Sequence, residues 1–249
     1  MPSNPAARRI ELVWTYTPTD YFAAPVVVEG NCYEIEIGGG SIIIRADADY
    51  YESDPSAYDR LKKETSYAFQ GVQPWRRRPF WIKGGQKFII EPDGQKRFLG
   101  ATAHVVLIVR PKYKDLGVDP ERVRNLVQLT ALHAVSDPTL LRMLASFDAA
   151  VNYPESVLVH LYEVWEALAT RFRKNKRKLG TLGVSKKLRS QLTKMANKDP
   201  LSEGRHRGRF AGTLRPATDD ELDKAWEIAG LMFESYLKYL KGQTTTHTP

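Results

Sequence analysis

Residues 155–172 read ESVLVHLYEVWEALATRF. Val157, Leu158, Leu161, Val164, Trp165 and Leu168 recur at three- and four-residue intervals, so a helical repeat gathers them into one apolar stripe. The stretch predicts a helix that faces a core. Toward the C-terminus, Ser185 caps a shorter helix to residue 197, with Leu188, Leu192 and Met195 turned inward. Thr218-Asp219-Asp220-Glu221 has the form of a capping box, in which the threonine and glutamate side chains each satisfy an N–H group at the helix start. Leu222, Trp226, Ala229, Phe233, Tyr236 and Leu240 then mark a long amphipathic helix. The first and last of these helices are long enough to pack as an antiparallel pair. Residues 242–249 are polar and read as a flexible tail.

Toward the N-terminus, Asp119-Pro120 and Asp137-Pro138 each place a cap before a proline pre-shaped for a first helical turn. Val123, Leu126 and Val127, then Leu140, Leu141 and Leu144, follow at helical spacing and predict two connecting helices within residues 116–152. Further upstream the signal changes to strands. Residues 9–16, 26–37 and 41–46 are short runs of β-branched and aromatic residues, and Gly38-Gly39-Gly40 reads as a hairpin turn between the last two. Residues 80–90 and 97–109 form a second pair around Pro92-Asp93-Gly94, with a short helix from Asp54-Pro55 to about residue 68 between the pairs. The expected fold class is α+β. A strand-rich N-terminal domain with a short helix (1–115) leads through the connecting helices to an all-α helical-bundle C-terminal domain (153–241).

The charge is not spread evenly. Residues 1–150 hold 19 Lys+Arg against 18 Asp+Glu, and residues 151–249 hold 18 against 11; within 171–215 the balance is 15 against two. So focused a basic field concentrates polyanions near it, which makes nucleic acid the first partner to consider. The single cysteine, Cys32, excludes an intramolecular disulfide framework or a cysteine-clustered zinc site and fits a reducing cytoplasm. No run of roughly 18 apolar residues offers a membrane span, and the start lacks the apolar stretch of a signal peptide.

Three stretches carry candidate chemistry. In Gly204-Arg205-His206-Arg207-Gly208-Arg209, three arginines surround a histidine. Guanidinium groups take phosphate oxygens in pairs, and His206, crowded by cations, would release its proton readily and serve as a base. The competing reading pairs these arginines with Asp219, Asp220, Glu221 and Asp223. Arg171, Arg173, Lys174, Lys176, Arg177 and Lys178 close the first long helix with more cations than its dipole requires, and Lys186, Lys187 and Arg189 open the next. Third, residues 75–81, WRRRPFW, interleave arginines with aromatics, which reads either as a base-stacking surface or as half core and half rim. Asp47, Asp49, Glu52 and Asp54 lack the glycine and distal glutamate of a calcium loop. No metal or cofactor is expected.

Leu161-Tyr162-Glu163-Val164-Trp165-Glu166, then Ala196-Asn197 and Gly204-Arg205-His206-Arg207-Gly208, followed by the closing helix, resemble the HEPN-like (ApeA-like) helical domains of bacterial proteins over about residues 154–241. The resemblance implies a helical bundle that often dimerises and binds or cleaves RNA, frequently in toxin or anti-phage systems. Active members of that group carry an arginine with a histidine a few residues later. At that spacing before His206 stand Asp199, Pro200 and Leu201, and only Arg97 and His104 satisfy it, in a predicted strand. Arg205 and His206 therefore carry over only as the matching Arg-His stretch.

Three functions follow as expectations: an RNA-binding effector held by the 171–215 segment, a metal-independent ribonuclease with His206 as base and Arg205 as phosphate anchor, and a protein-interaction or antitoxin-like module. The closing helix, with Trp226, Phe233, Tyr236 and Tyr239, is wide enough in apolar residues to serve as a homodimer seam.

Overall fold

In a computed structural model of the protein, residues 7–101, 117, 119–174, 179–180, 182–210 and 212–245 are described. They fall into two compact units. One holds residues 7–69, 80–101 and 119–131; the other holds 70–79, 117 and the described residues from 132 onward.

The first unit is built on a six-stranded sheet, confirming a mixed α and β chain with its strands toward the N-terminus. The strands are β1 (Arg9–Thr17), β2 (Val26–Glu29), β3 (Tyr33–Gly38), β4 (Ser41–Asp47), β5 (Trp81–Ile90) and β6 (Lys96–Ala101). Their spatial order is β2-β3-β4-β1-β5-β6, and each neighbouring pair is antiparallel. Alternation along β1 sends Ile10, Leu12, Trp14 and Tyr16 to one buried face. That face meets α2 (Ala57–Arg76), where Trp14 stands edge-on to Tyr58 and Tyr16 to Phe69 at 5.5 and 5.0 Å between ring centres. On the opposite face Arg45 bridges Glu34 and Glu36 at 2.9 and 3.1 Å, and Lys96 pairs with Glu11 at 2.5 Å.

Turn chemistry sets the strand boundaries. Gly39 and Gly40, both at positive φ, form the two-residue β3–β4 turn, which only glycine adopts without strain. The expected single run over 26–37 is broken into a hairpin, closed where the Gly30 N–H donates to the Tyr33 carbonyl at 2.9 Å. One helix was not expected and another is longer than expected. The stretch around Asp47 and Asp49 forms α1 (Ala48–Ser53), a helix without a side-chain cap and so without a start signal in the sequence. The helix expected to end near residue 68 continues to Arg76, because Leu61, Thr65, Ala68, Phe69 and Val72 keep one face buried. Pro74 falls in its last turn, where a proline disturbs little downstream helix. The expected strand over 97–109 is seen as far as Ala101, and its remainder lies outside the described residues.

Helix α3 (Pro120–Ala134) belongs to the first unit up to Ala131. The second unit contains α4 (Pro138–Asn152), α5 (Val157–Arg171), α6 (Lys186–Asn197) and α7 (Asp219–Thr245). The segment expected to be a connector is thus divided between the two units, and α4 packs extensively on α5. Its inward residues Leu140, Met143, Leu144 and Phe147 are almost fully buried. Asp137 caps it, accepting from the Leu140 N–H at 2.7 Å and from the buried Tyr236 hydroxyl at 3.0 Å. Phe147 stacks on Trp226 and meets Phe233 edge-on, at 6.1 and 5.5 Å.

The first and last long helices do not pack as an antiparallel pair. Phe172, just past the end of α5, touches Tyr236 and Tyr239 near the end of α7, so the two helices run in the same sense. The intervening chain is what makes this possible, since it returns to the start of α5 before α7 begins. Trp226, Phe233 and Tyr236 are consumed by the unit's own core, which takes them away from the expected dimer seam.

The arginine- and tryptophan-rich stretch is interior over residues 75–77 and half-buried over residues 78–81, as the half-core, half-rim reading expects. Trp75 and Arg76 are buried, and Arg77, 1% exposed, donates to the Asp223 carboxylate and lies 5.7 Å from the Trp226 ring centre. The base-stacking reading of residues 75–81 is set aside on that ground.

The capping box forms as expected. Glu221 N–H donates to Thr218 Oγ1 at 3.2 Å, and Thr218 N–H donates to Glu221 Oε2 at 2.8 Å. Arg215 adds a two-pronged bond at 2.7 and 2.8 Å. The Arg215 hydrogen bond, joined by those from Thr218, lowers the Glu221 pKa from 4.5 to about 2. A carboxylate held low in the fold stabilises it fully above its unfolded pKa, and that contribution disappears as pH falls toward the folded value. The stability gap between wild type and Glu221→Gln should therefore be full at pH 6 and close between about pH 4.5 and 2 in thermal melts. A gap independent of pH would show that the charge contributes nothing.

Candidate nucleic-acid interface

The basic segment is organised by α5 and α6. Ser185 caps α6 by accepting from the Leu188 N–H at 3.2 Å. Beyond the other end of α6 the chain doubles back tightly: Gly204 N–H donates to the Leu201 carbonyl and Arg205 N–H to the Ala196 carbonyl. A Cβ on Gly204 would come within 3.1 Å of that Ala196 oxygen, so a larger residue would need the turn to open by a few tenths of an ångström. The Ala196-Asn197 and Gly204-Arg205 stretches, distant in sequence, are thereby parts of one turn.

From this turn the arginines reach along the flank of α5. Arg205 pairs with Glu166 at 2.7 Å and lies over the Tyr162 ring, 5.4 Å from its centre. The bond to Glu166 raises its pKa further and fixes the charge. Arg207 is held by neutral acceptors: the carbonyls of Gly204 and Glu155 at 3.1 and 2.9 Å, and Ser156 Oγ at 2.6 Å. Arg189 lies over Trp165, 5.1 Å from the ring centre. Trp165 is therefore not part of the core stripe, as its spacing implied, but half-buried on the helix flank. The core positions are filled by Leu161, Val164, Ala167 and Leu168.

The other cations stand in solvent. Arg171, Arg173, Lys174, Lys186 and Lys187 are exposed, and none forms an ion pair among the described residues. Arg209 and His206 are exposed as well. Lys176, Arg177 and Lys178 lie outside the described residues. The expected neutralisation of the 205–209 arginines by the start of α7 does not occur for Arg205 or Arg207. Glu221 is taken by Arg215 and Asp223 by Arg77. Among the described residues, Arg205 is paired with a carboxylate, whereas Arg207 and Arg189 lie against neutral groups.

Position on α6 adds a physical test. Lys186 and Lys187 occupy its first turn, and no acidic residue accompanies them there. The N-terminal end of a helix carries partial positive charge, so lysines at this point oppose the dipole instead of complementing it. Their charge is therefore not explained by helix stability.

Sequence reasoning missed Tyr162 and Glu166 as receivers of Arg205. Their four-residue spacing on one helix was the available signal, since it places them on the same face. Arg97, the arginine with the expected spacing to a histidine, is exposed on β6 and pairs with Glu91 at 3.4 Å; His104 lies outside the described residues.

Two clefts are lined mainly by other residues, the first of them bordering Arg205 through Glu166. One of about 370 Å³ between α4 and α5 is walled by Arg142, Glu163 and Glu166, whose carboxylates oppose an anion. His160 Nδ1 lies 3.2 Å from Glu163. The other, about 590 Å³ in the first unit, is lined by Arg8, Cys32, Asp47, Asp49 and Tyr50. Cys32 is half-buried there. Of the acidic residues nearby, Asp54 pairs with Arg60 at 2.5 Å and Glu52 with Arg8.

Among the described residues, no His, Cys, Asp and Glu side chains gather in a group able to hold a metal ion, and no helix is long and apolar enough to cross a membrane. No family model, curated protein or solved structure matches the chain.

Proposed function

We propose that the second unit is a HEPN-like helical bundle that binds RNA along the outer flank of α5 and the start of α6, as a cytoplasmic effector in a toxin or anti-phage setting. One observation carries the reading: Arg171, Arg173, Lys174, Lys186 and Lys187 are exposed with no ion pair among the described residues, and two of them are lysines placed where the α6 dipole disfavours them. A merely solubilising surface would not need cations at a helix N-terminus. The sheet of the first unit shows the contrasting arrangement, in which Arg45 and Lys96 are matched by carboxylates.

Binding is favoured over cleavage. A phosphate anchored by Arg205 would have to displace Glu166, whereas one held by Arg173, Lys174, Lys186 or Lys187 displaces only water. The test is filter binding of RNA at two salt concentrations. With six or more phosphate contacts, affinity should fall by about a thousandfold or more between 50 and 200 mM salt. Freshly purified protein should also carry an absorbance excess at 260 nm from retained RNA. Salt-independent affinity would remove the phosphate contacts. An acidic protein co-purifying at fixed stoichiometry without nucleic acid would replace RNA as the partner.

A further inference from the structure

We infer that Tyr162 and Trp165, with the guanidinium groups laid over them, form a stacking platform for unpaired nucleobases, so that this face takes single-stranded and not duplex nucleic acid. The inference rests on the polyanion reading and narrows it.

Both rings lie outside the buried stripe of α5, so core packing does not account for two large aromatics here. They are three residues apart on one helix and hence neighbours on its surface. Each is overlaid by an arginine, Arg205 at 5.4 Å and Arg189 at 5.1 Å from the ring centres. A planar cation on an aromatic face presents the surface on which a base can stack, either on the guanidinium plane or on the ring after the guanidinium swings toward a phosphate. The Arg205 overlay is held in part by Glu166, whereas Arg189 lies over Trp165 with no ion pair among the described residues. A phosphate partner lies before the rings, where Arg207 sits at the start of the helix, by Ser156. A strand laid along this flank of α5 would meet a cation and then two aromatic–arginine pairs. A duplex, whose bases stack on one another, could use only the cations.

The experiment compares the full chain binding a single-stranded RNA and a hairpin duplex of matched length at fixed salt. Single strands are expected to bind about tenfold tighter. Trp165→Leu and Tyr162→Leu, which keep apolar bulk but remove the aromatic face, should each lose about tenfold on the single strand, with the salt slope unchanged and duplex binding unaltered. Trp165→Phe should restore most of the loss. Equal affinity for single strand and duplex overturns the platform and leaves the phosphate contacts standing; so does a folded leucine variant that binds like wild type. Where a leucine variant does not fold, the wild-type comparison decides. Failure of either nucleic acid to bind refutes the polyanion reading and the platform with it.

Discussion

Phe147→Ala is expected to destabilise the second unit by about 4 kcal/mol, the usual cost of truncating a fully buried aromatic. Phe147 has no exposed surface and is enclosed by two other buried rings, those of Trp226 and Phe233. Those rings cannot close the space it leaves. Trp226 is overlaid by the Arg77 guanidinium, and Phe233 sits against Trp75, which the end of α2 holds in place. The truncation therefore loses both the transfer term and the cavity term. Phe147→Leu keeps more of the volume and should cost about 1.5 kcal/mol at most. Denaturant titration followed by near-ultraviolet circular dichroism measures both. A loss below about 1 kcal/mol for the alanine variant would mean that Phe147 is not the centre of this core.

The second large effect separates binding from folding. Lys186→Glu combined with Lys187→Glu replaces two cations by two carboxylates in the first turn of α6. The dipole should then stabilise the helix by roughly 0.3–1 kcal/mol for each corrected charge. RNA affinity should move in the opposite direction, by more than about hundredfold once Arg173→Glu and Lys174→Glu are added, and the log–log salt slope should shrink by about 3. Melting temperature and filter binding read the two effects independently. A quadruple variant that binds as wild type does would refute the role of these four residues, and reduced stability from the α6 pair would mean that the lysines serve the fold after all.

How much of this was legible in the sequence depends on how local each signal is. The Gly39-Gly40 turn, the Asp137 cap and the Thr218–Glu221 box were readable because each is fixed by side chains within a few residues of one another. Helix α1 was not, because its start carries no capping bond. Trp165 was assigned to the core by periodicity, yet the apolar stripe already had enough residues without it; Arg189, on another helix, decides where its ring lies. Arg77 has the same lesson in reverse. A charge in an arginine run looked like surface until Asp223, far along the chain, was seen to receive it. The direction of α7 relative to α5 was equally illegible, because it depends on the path of the intervening chain. Residue type and spacing found the cationic segment, but only tertiary contacts show that Arg205 is matched by a carboxylate while Arg207 and Arg189 are not.

The shared direction of α5 and α7 places an architectural demand on the chain between them. A helix the length of α5 advances about 22 Å, so the chain between the two helices must recover that distance before α7 begins. The cationic segment is thus also the crossover that lets the last helix enter at the correct end. Excision or shortening would misplace α7 whatever the ligand, so loss of function in deletions carries no information about charge. Only substitutions that preserve the span can tell the two duties apart.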